Sequence, residues 1–468
     1  MTNDNRICAN CIQDEHMQRG INEFIGTVEE CDYCGENRPT IALWDLMIRC
    51  DEVIEVFFEV SSLTPAVLQF GRDPQGKDLE TLISEILGVT GAAKTDLHEL
   101  LDYYWFDRDT MDYKYGEDPW FVESSESIGQ IGTEWEHMEQ SLRDTARLFN
   151  PAAAAVLEKI FAPVIDDRTR AGHQVITKIG PAHQISGLLR AREFESLHEL
   201  ERALCHPESS LGPPPVGVGS AGRMNCAGIP VFYGATKALT AIAEVRPAVG
   251  AHVAIGLFQV VRELSLLDLT KLGDVSSSKA SKFDPITVER TIRNNFLKTL
   301  VTQLTMPVLP SRAGTDYLIT QAIADFLATH PKLNLDGIIF PSTQAAEEES
   351  SGRNVVLFRK ASKVLRATRE YDRTASAYLF EYEENSAWFA PVLESEPSQA
   401  CEPSLVTWPA DHDRFEAALE LDRDSIWIHK ILAVHFKTDE TPVRHVRAES
   451  RQESGERMPN SHRGDGLL

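Results

Sequence analysis

The sequence predicts an α+β protein in which a metal-binding unit and a helical block precede a domain of short strands. Two Cys-x-x-Cys pairs lie in the first 34 residues, and apolar residues recur near helical spacing from about residue 39 to 163. After residue 166, short apolar segments alternate with Gly and Pro, which favours α+β over a doubly wound parallel sheet. The predicted units are a zinc ribbon (1–38), an all-α helical domain (39–165), a mixed domain of strands and helices with C-terminal strands (166–437) and a disordered tail (438–468).

The cysteine spacing at the N-terminus is typical of a zinc site. Cys8 and Cys11 form one pair, Cys31 and Cys34 form the other, and 19 residues separate the pairs. Four thiolates at this spacing can hold one tetrahedral ion. Zinc ribbons contact nucleic acids or proteins, but we favour a structural role, because forty residues are too few to build a core of their own. Protein contact is the second interpretation.

The helical block carries the apolar pattern of several helices. The segment IALWDLMIRCDEVIEVFFEV begins it, and further helices are predicted at 79–87, 94–104, 133–149 and 151–161. An aromatic run at residues 103–106 is read as core.

Later segments alternate between strand and helix patterns. Strands are predicted for QVITKI, SGLLRAREF, IPVFY, HVAIGLFQVVRELSLLDL, DGIIFPST and NVVLF. Helices are predicted for TKALTAIAE, VERTIRNNFLKTLVTQL and GTDYLITQAIADFLATH. Beyond residue 359 the signal weakens, although SAYLFEYEE, AWFAPVLES and SIWIHKILAVHF have strand character.

Composition narrows the classes of function. The net charge is −25, from 71 acidic and 46 basic residues, and such a chain repels phosphate backbones. Nucleic acid is therefore not an expected partner. The N-terminal residues lack the apolar stretch of a secretory signal, and no apolar run is long enough to span a membrane. We expect a cytoplasmic protein that does not bind a membrane.

The stretch from residue 221 to 246 places three chemically useful side chains on one strand–helix unit. Arg223 precedes the strand, Tyr233 ends it and Glu244 lies near the end of the helix. Together they offer an anion clamp, an aromatic platform and a carboxylate. Taken alone, the residues favour a plainer interpretation as a surface arginine, a strand aromatic and a helix carboxylate. Motifs of phosphate loops, dinucleotide folds, serine hydrolases and zinc proteases do not occur.

Four separated segments resemble one family in the same order. They are LLRAREF, GRMNCAGIPVFYGATKALTAIAEVRP, DYLITQAIADFL, and DGIIFPST with GRNVVLF. Over about residues 174–358 the chain resembles the RES domain, a family named for its Arg, Glu and Ser residues. The family includes toxins of bacterial toxin–antitoxin systems, its fold is similar to that of ADP-ribosyltransferases, and its characterised members degrade NAD. More loosely, the N-terminal part resembles the HEPN-type extension ahead of some RES domains.

The resemblance implies a site for NAD as substrate. The implied catalytic residues are Arg223, Tyr233, Glu244 and Ser342. A second family arginine matches either Arg190 or Arg192, and the sequence leaves that choice open. Further candidate ligand-binding residues are Asn225, Tyr317 and Gln321, for which turn formation and core packing are the alternatives.

The implied reaction is cleavage of the nicotinamide–ribose bond of NAD, by hydrolysis or phosphorolysis. It fits the residue types, because guanidinium groups suit a pyrophosphate and a carboxylate stabilises an oxocarbenium-like state. The alternatives are an ADP-ribosyltransferase that modifies a macromolecule and a catalytically silent module that binds a partner. A toxin role, an antitoxin or other protein partner and a homodimer are left open, and zinc is expected as a structural ion.

Overall fold

The computed structural model describes residues 4–62, 75–124, 128–275, 280–306, 313–342, 352–365, 376–383, 386–394, 415–434, 438 and 440–443. Most of the predicted tail lies outside the described residues.

A small sheet organises the N-terminal unit. Its antiparallel strands lie in the order β1-β3-β2, and the pair Arg6 and Ala42 shows that β3 continues past residue 38. The strands are β1 (Arg6–Cys8), β2 (Thr27–Glu30) and β3 (Asn37–Ala42), with short helical turns at Ala9–Cys11, α1 (Glu15–Gly20) and Ile21–Ile25.

The predicted helical block contains helices and also short strands. The helices are α2 (Leu43–Phe57), α3 (Leu79–Leu87) and α4 (Ala92–Trp105). Between and after them lie β4 (Phe58–Val60), β5 (Lys77–Asp78), β6 (Phe106–Asp107), β7 (Asp112–Tyr113) and β8 (Trp120–Glu123). The prediction of an all-α domain was therefore wrong. Strands of two to four residues are too short to show an alternating pattern in the sequence.

Two helices that were predicted in this block pack elsewhere. They are α5 (Gly129–Asp144) and α6 (Pro151–Phe161). The ring of Trp135 on α5 lies 5.2 Å from that of Phe296, and Phe161 on α6 lies 6.4 Å from Phe326. Their apolar faces thus belong to the same core as Ile338 and other residues of the large sheet. That core crosses the boundary predicted near residue 165.

The large sheet confirms the α+β class. Among the described residues, eight strands form one mixed sheet in the order β18-β12-β10-β11-β15-β14-β13-β9, in which β13 and β14 are parallel. The strands are β9 (Ile176–Ile179), β10 (Gly187–Phe194), β11 (Phe232–Ala235), β12 (His252–Val260), β13 (Leu264–Asp268), β14 (Gly337–Pro341), β15 (Arg353–Leu357) and β18 (Leu419–Lys430). Strands β16 (Ser376–Glu383) and β17 (Ser386–Glu394) pair with each other.

Side chains from both faces of this sheet are buried. Ile338 packs in the core that includes α5 and α6, whereas its neighbour Ile339 packs in another core with Phe232 and Phe258. This alternation follows from the two-residue period of a strand. The helices of this part are α7 (Leu197–Leu204), α8 (Pro207–Leu211), α9 (Ala238–Val245), α10 (Leu269–Leu272), α11 (Pro285–Thr305) and α12 (Ala313–Thr329).

Within the described residues, no helix is both long and apolar enough to cross a membrane.

Candidate active site

A cavity of about 210 Å³ lies between α9 and the strands β10, β11 and β15. Its chemically active lining side chains are Arg190, Tyr233, Glu244 and Asn354, and Phe340 contributes an aromatic wall. Four strands and one helix bring these five residues together; within the sheet, Ala235 on β11 pairs with Asn354, which also pairs with Phe340 on β14. A carboxylate, a cation and an aromatic ring therefore share one small space.

Glu244 lies in the last turn of α9. The helix ends at Val245; the next residue, Arg246, has a left-handed φ of 48°, and Pro247 follows, which cannot continue a helix. The Glu244 carboxylate accepts a hydrogen bond from the side-chain nitrogen of Asn354. Desolvation raises the pKa of Glu244, although this hydrogen bond and the charges of Arg223 and Arg246 oppose the rise. Its side chain stays accessible to solvent, so it lies at the edge of the cavity.

Asn354 is a site residue that the sequence interpretation missed. It lies in β15 with 2% of its surface exposed, and its Nδ2 donates to Glu244. Its Oδ1 is buried and has no hydrogen-bond partner among the described residues. A signal was present, because an amide inside the apolar run NVVLF of a central strand requires a polar partner.

Of the two candidate arginines, Arg190 lines the cavity. Its Nη1 donates to the carbonyl of Tyr233 at 3.0 Å, and its guanidinium lies 5.4 Å from the Phe232 ring centroid. Burial lowers the pKa of Arg190 to about 10, so it stays charged at neutral pH. Arg192 is exposed and donates to the carbonyl of Ser210 at 2.6 Å.

Tyr233 connects the cavity to the loop that precedes β11. Its hydroxyl donates to Oδ1 of Asn225 at 2.8 Å and accepts from the backbone nitrogen of Met224 at 3.1 Å. Desolvation raises the pKa of Tyr233 to about 12, although the Met224 hydrogen bond opposes it. The hydroxyl is therefore neutral and held in place, and Tyr233 also contributes to the lining of the cavity.

Two predicted ligand-binding residues, Asn225 and Gln321, hold this loop instead. Asn225 Nδ2 lies within hydrogen-bond distance of the carbonyls of Ser220, Cys226 and Ile229. Gln321 Nε2, on α12, lies 2.8 Å from the carbonyl of Gly222 and 2.9 Å from that of Asn225.

Tyr317, one turn earlier on α12, lies close enough to Tyr233 to contribute to its raised pKa. None of these three predicted residues (Asn225, Tyr317 and Gln321) lines the described cavity.

Arg223 is bound to the end of a helix. Its guanidinium donates to the carbonyls of Leu304 and Met306, at the C-terminus of α11. Those carbonyls carry the negative end of the helix dipole, which favours a cation there. Thr320 on α12 in turn donates to the carbonyl of Arg223. The arginine thus joins the loop to α11 and α12. Its positive charge also acts to lower the pKa of Glu244 and of Tyr233, against the desolvation that raises them.

Ser342 directly follows β14. It is half-buried, and its Oγ is buried without a hydrogen-bond partner among the described residues. It does not line the described cavity, although Phe340, two residues earlier, does.

The part of the chain that contains most of this cavity is similar to a known domain family. Residues 196–379 match the family model of the RES domain. The match supports the resemblance seen in the sequence and, with it, a link to enzymes that act on NAD. Arg223, Tyr233, Glu244, Ser342 and Asn354 all lie inside the matched residues, whereas β10 with Arg190 precedes them. No curated protein and no solved structure matches the chain.

The four N-terminal cysteines form a second cluster. All four sulfur atoms lie within 4.8 Å of one another, with Cys8 at 3.7 Å from Cys11 and 3.6 Å from Cys34. A zinc ion bound by thiolates at about 2.3 Å in a tetrahedron separates the sulfur atoms by about 3.8 Å. The Cys8 backbone nitrogen also donates to Cys31 Sγ at 3.3 Å. This donor set fits zinc.

Proposed function

We propose that the RES-domain part of the chain cleaves the nicotinamide–ribose bond of NAD. The observation that carries this proposal is the Glu244 carboxylate, which is held by Asn354 and lines the same cavity as the Arg190 cation. The RES match supports NAD as the substrate.

Each group has a chemical task in this reaction. As the bond breaks, its electron pair leaves with nicotinamide, which departs neutral, and positive charge develops on the ribose. Glu244 stabilises that charge, and one such electrostatic group lowers the barrier by about 3–4 kcal/mol. Water then adds to the ribose carbon and releases a proton, so that ADP-ribose, nicotinamide and H⁺ are the products. Phosphate in place of water gives the phosphorylated sugar.

The cavity suits one end of the dinucleotide. Its volume of about 210 Å³ is below the roughly 300–1,000 Å³ of sites that enclose a whole ligand. The nicotinamide ring would stack on Tyr233, because a flat cationic ring is attracted to an aromatic face. Arg190 would bind the nearest phosphate. Arg223 would act by fixing the loop and α11, since both of its terminal nitrogens are bound to carbonyls.

The N-terminal cluster would serve the fold. Cys8, Cys11, Cys31 and Cys34 would hold a structural zinc ion that joins the end of β1 and the turn after it to the loop between β2 and β3. A toxin role with an antitoxin partner and a HEPN-type origin of the N-terminal part rest on the family resemblance.

Product identification tests the proposed reaction. Purified protein is incubated with NAD, with and without phosphate, and the products are separated by chromatography. Free ADP-ribose identifies hydrolysis, and its phosphorylated form identifies phosphorolysis. Label from the adenylate half of NAD on protein would instead identify an ADP-ribosyltransferase. Intact NAD in all reactions would contradict the proposal.

A further inference from the structure

Only one of the two polar atoms in the Asn354 side-chain amide has a hydrogen-bond partner among the described residues. Its nitrogen donates to Glu244, while its oxygen is buried without a partner in the part of the chain that the structure describes. Native proteins rarely leave a buried acceptor unpaired, because it has lost its hydrogen bonds to water and gained none in return. An amide that served the fold alone would find partners for both atoms, as Asn225 does: its Nδ2 lies near three carbonyls and its Oδ1 accepts from the Tyr233 hydroxyl.

The unpaired oxygen belongs to a residue that lines the proposed substrate cavity. Asn354 lines the same cavity as Glu244, and the hydrogen bond between them fixes the amide beside the carboxylate. The reverse orientation of the amide would place its oxygen against the carboxylate oxygen, so the contact with Glu244 determines which atom is left over. Two acceptors are then adjacent, the second carboxylate oxygen of Glu244 and Oδ1 of Asn354. A sugar with two neighbouring hydroxyls offers one donor to each of these acceptors.

We propose that Asn354 is a substrate-binding residue whose Oδ1 accepts a hydrogen bond from one hydroxyl of the nicotinamide ribose, while Glu244 accepts from its neighbour. The inference rests on the proposed cleavage of NAD and adds the feature that is recognised, the vicinal diol of the ribose. The pair also couples binding to catalysis, because the residue that holds the diol orients the carboxylate that stabilises the developing charge. Specificity for a ribosyl group over a deoxyribosyl group follows.

A comparison of substrates and variants tests this assignment. The substrates are NAD and its two analogues that lack either the 2′- or the 3′-hydroxyl of the nicotinamide ribose. The variant is Asn354→Leu, which removes the acceptor and the donor to Glu244 at similar volume. For the wild-type protein we expect kcat/KM to fall about tenfold or more for each analogue.

The decisive result is the coupling between residue and hydroxyl. In Asn354→Leu, the decrease in kcat/KM for one analogue is expected to shrink about tenfold, and the decrease for the other analogue should change less, because Glu244 loses its orienting hydrogen bond but keeps its acceptor oxygens. A merely structural residue would slow all three substrates equally, and that result would overturn the assignment.

Folding and the proposed reaction are controlled separately. Asn354→Leu is compared with wild type by thermal unfolding, and Asn354→Ala takes its place if the leucine variant does not fold. If wild-type protein releases no nicotinamide, the proposed cleavage fails, and the coupling is then read from Kd values for the same three ligands. Equal Kd ratios in wild type and Asn354→Leu would overturn the diol assignment on its own.

Discussion

The side-chain nitrogen of Asn354 on β15 donates to the carboxylate of Glu244 on α9, across 110 positions of sequence. This hydrogen bond ties the helix to the sheet at the cavity and orients the carboxylate. It also opposes the desolvation that raises the pKa of Glu244. The two residues therefore determine together both where the negative charge lies and at which pH it is present.

The pH dependence of activity should report this pair. Glu244 acts when ionised, and desolvation raises its pKa, so the acidic limb of kcat/KM should lie above the usual range of an exposed glutamate. Asn354→Leu removes the hydrogen bond that lowers the pKa, and the limb should move to higher pH. Rates of nicotinamide release from pH 4 to 9 measure the shift. An unchanged limb would contradict the role of the pair.

Ionisation of Glu244 should have opposite effects on activity and on stability. The ionised carboxyl is the active form, whereas the protonated carboxyl favours folding. A carboxyl whose pKa is raised in the folded state favours folding while it is protonated, and this contribution is lost as pH rises through the raised pKa. Glu244→Gln should therefore match wild type in thermal unfolding at low pH and become relatively more stable as the pH rises past that pKa. A variant that is less stable than wild type at neutral pH would count against the desolvation of this group.

Arg190 and Arg192 allow a matched comparison. Arg190 lines the cavity and Arg192 is exposed, although both belong to β10. Arg190→Gln should lower kcat/KM for NAD by about 10²–10³, the usual cost of losing an electrostatic group in a site. Arg192→Gln should stay close to wild type. Equal losses in the two variants would show that the cavity is not where the phosphate binds.

The loop before β11 leaves no room for a side chain at Gly222. A Cβ there would lie 2.6 Å from the Tyr233 hydroxyl and 2.5 Å from Asn225 Oδ1. Gly222→Ala should break the hydrogen bond between the Tyr233 hydroxyl and Asn225 Oδ1. We expect this change to lower the free energy of unfolding by about 1–3 kcal/mol and to reduce activity. Gly273→Ala is the control, because a Cβ at that position meets no atom within 4 Å. Chemical denaturation of both variants measures the difference.

The cysteine cluster predicts one zinc ion per chain. Metal analysis of purified protein should find it, and Cys31→Ser should lower the zinc content and the unfolding temperature. Cys205→Ser changes a half-buried thiol outside the cluster and should alter neither quantity. Protein without zinc that unfolds at the same temperature as wild type would refute a structural zinc site.

The sequence was most informative where one segment contains its own signal. The strand–helix unit with Tyr233 and Glu244 was predicted from local patterns, as were the strands now seen as β10, β12 and β15. The grouping of four cysteines followed from spacing alone.

Pairings between distant segments could not be predicted. Arg190 and Arg192 lie two positions apart on β10, so the alternation of side chains along the strand does not distinguish them. The neighbouring strands and helices alone decide which of the two lines the cavity. Arg223 was expected to bind an anion, but the end of α11 occupies its guanidinium. Asn354 seemed part of an apolar strand, because its partner Glu244 lies on a helix far away in sequence.

Release of nicotinamide from NAD by wild type, Glu244→Gln and Glu195→Gln tests the central claim most directly. Glu195 is an exposed glutamate in the turn after β10 and serves as the matched control. The account predicts release by wild type and Glu195→Gln, and a rate lower by about 10²–10³ in a folded Glu244→Gln variant. Equal rates in all three proteins would show that the carboxylate at the cavity does not take part in the reaction.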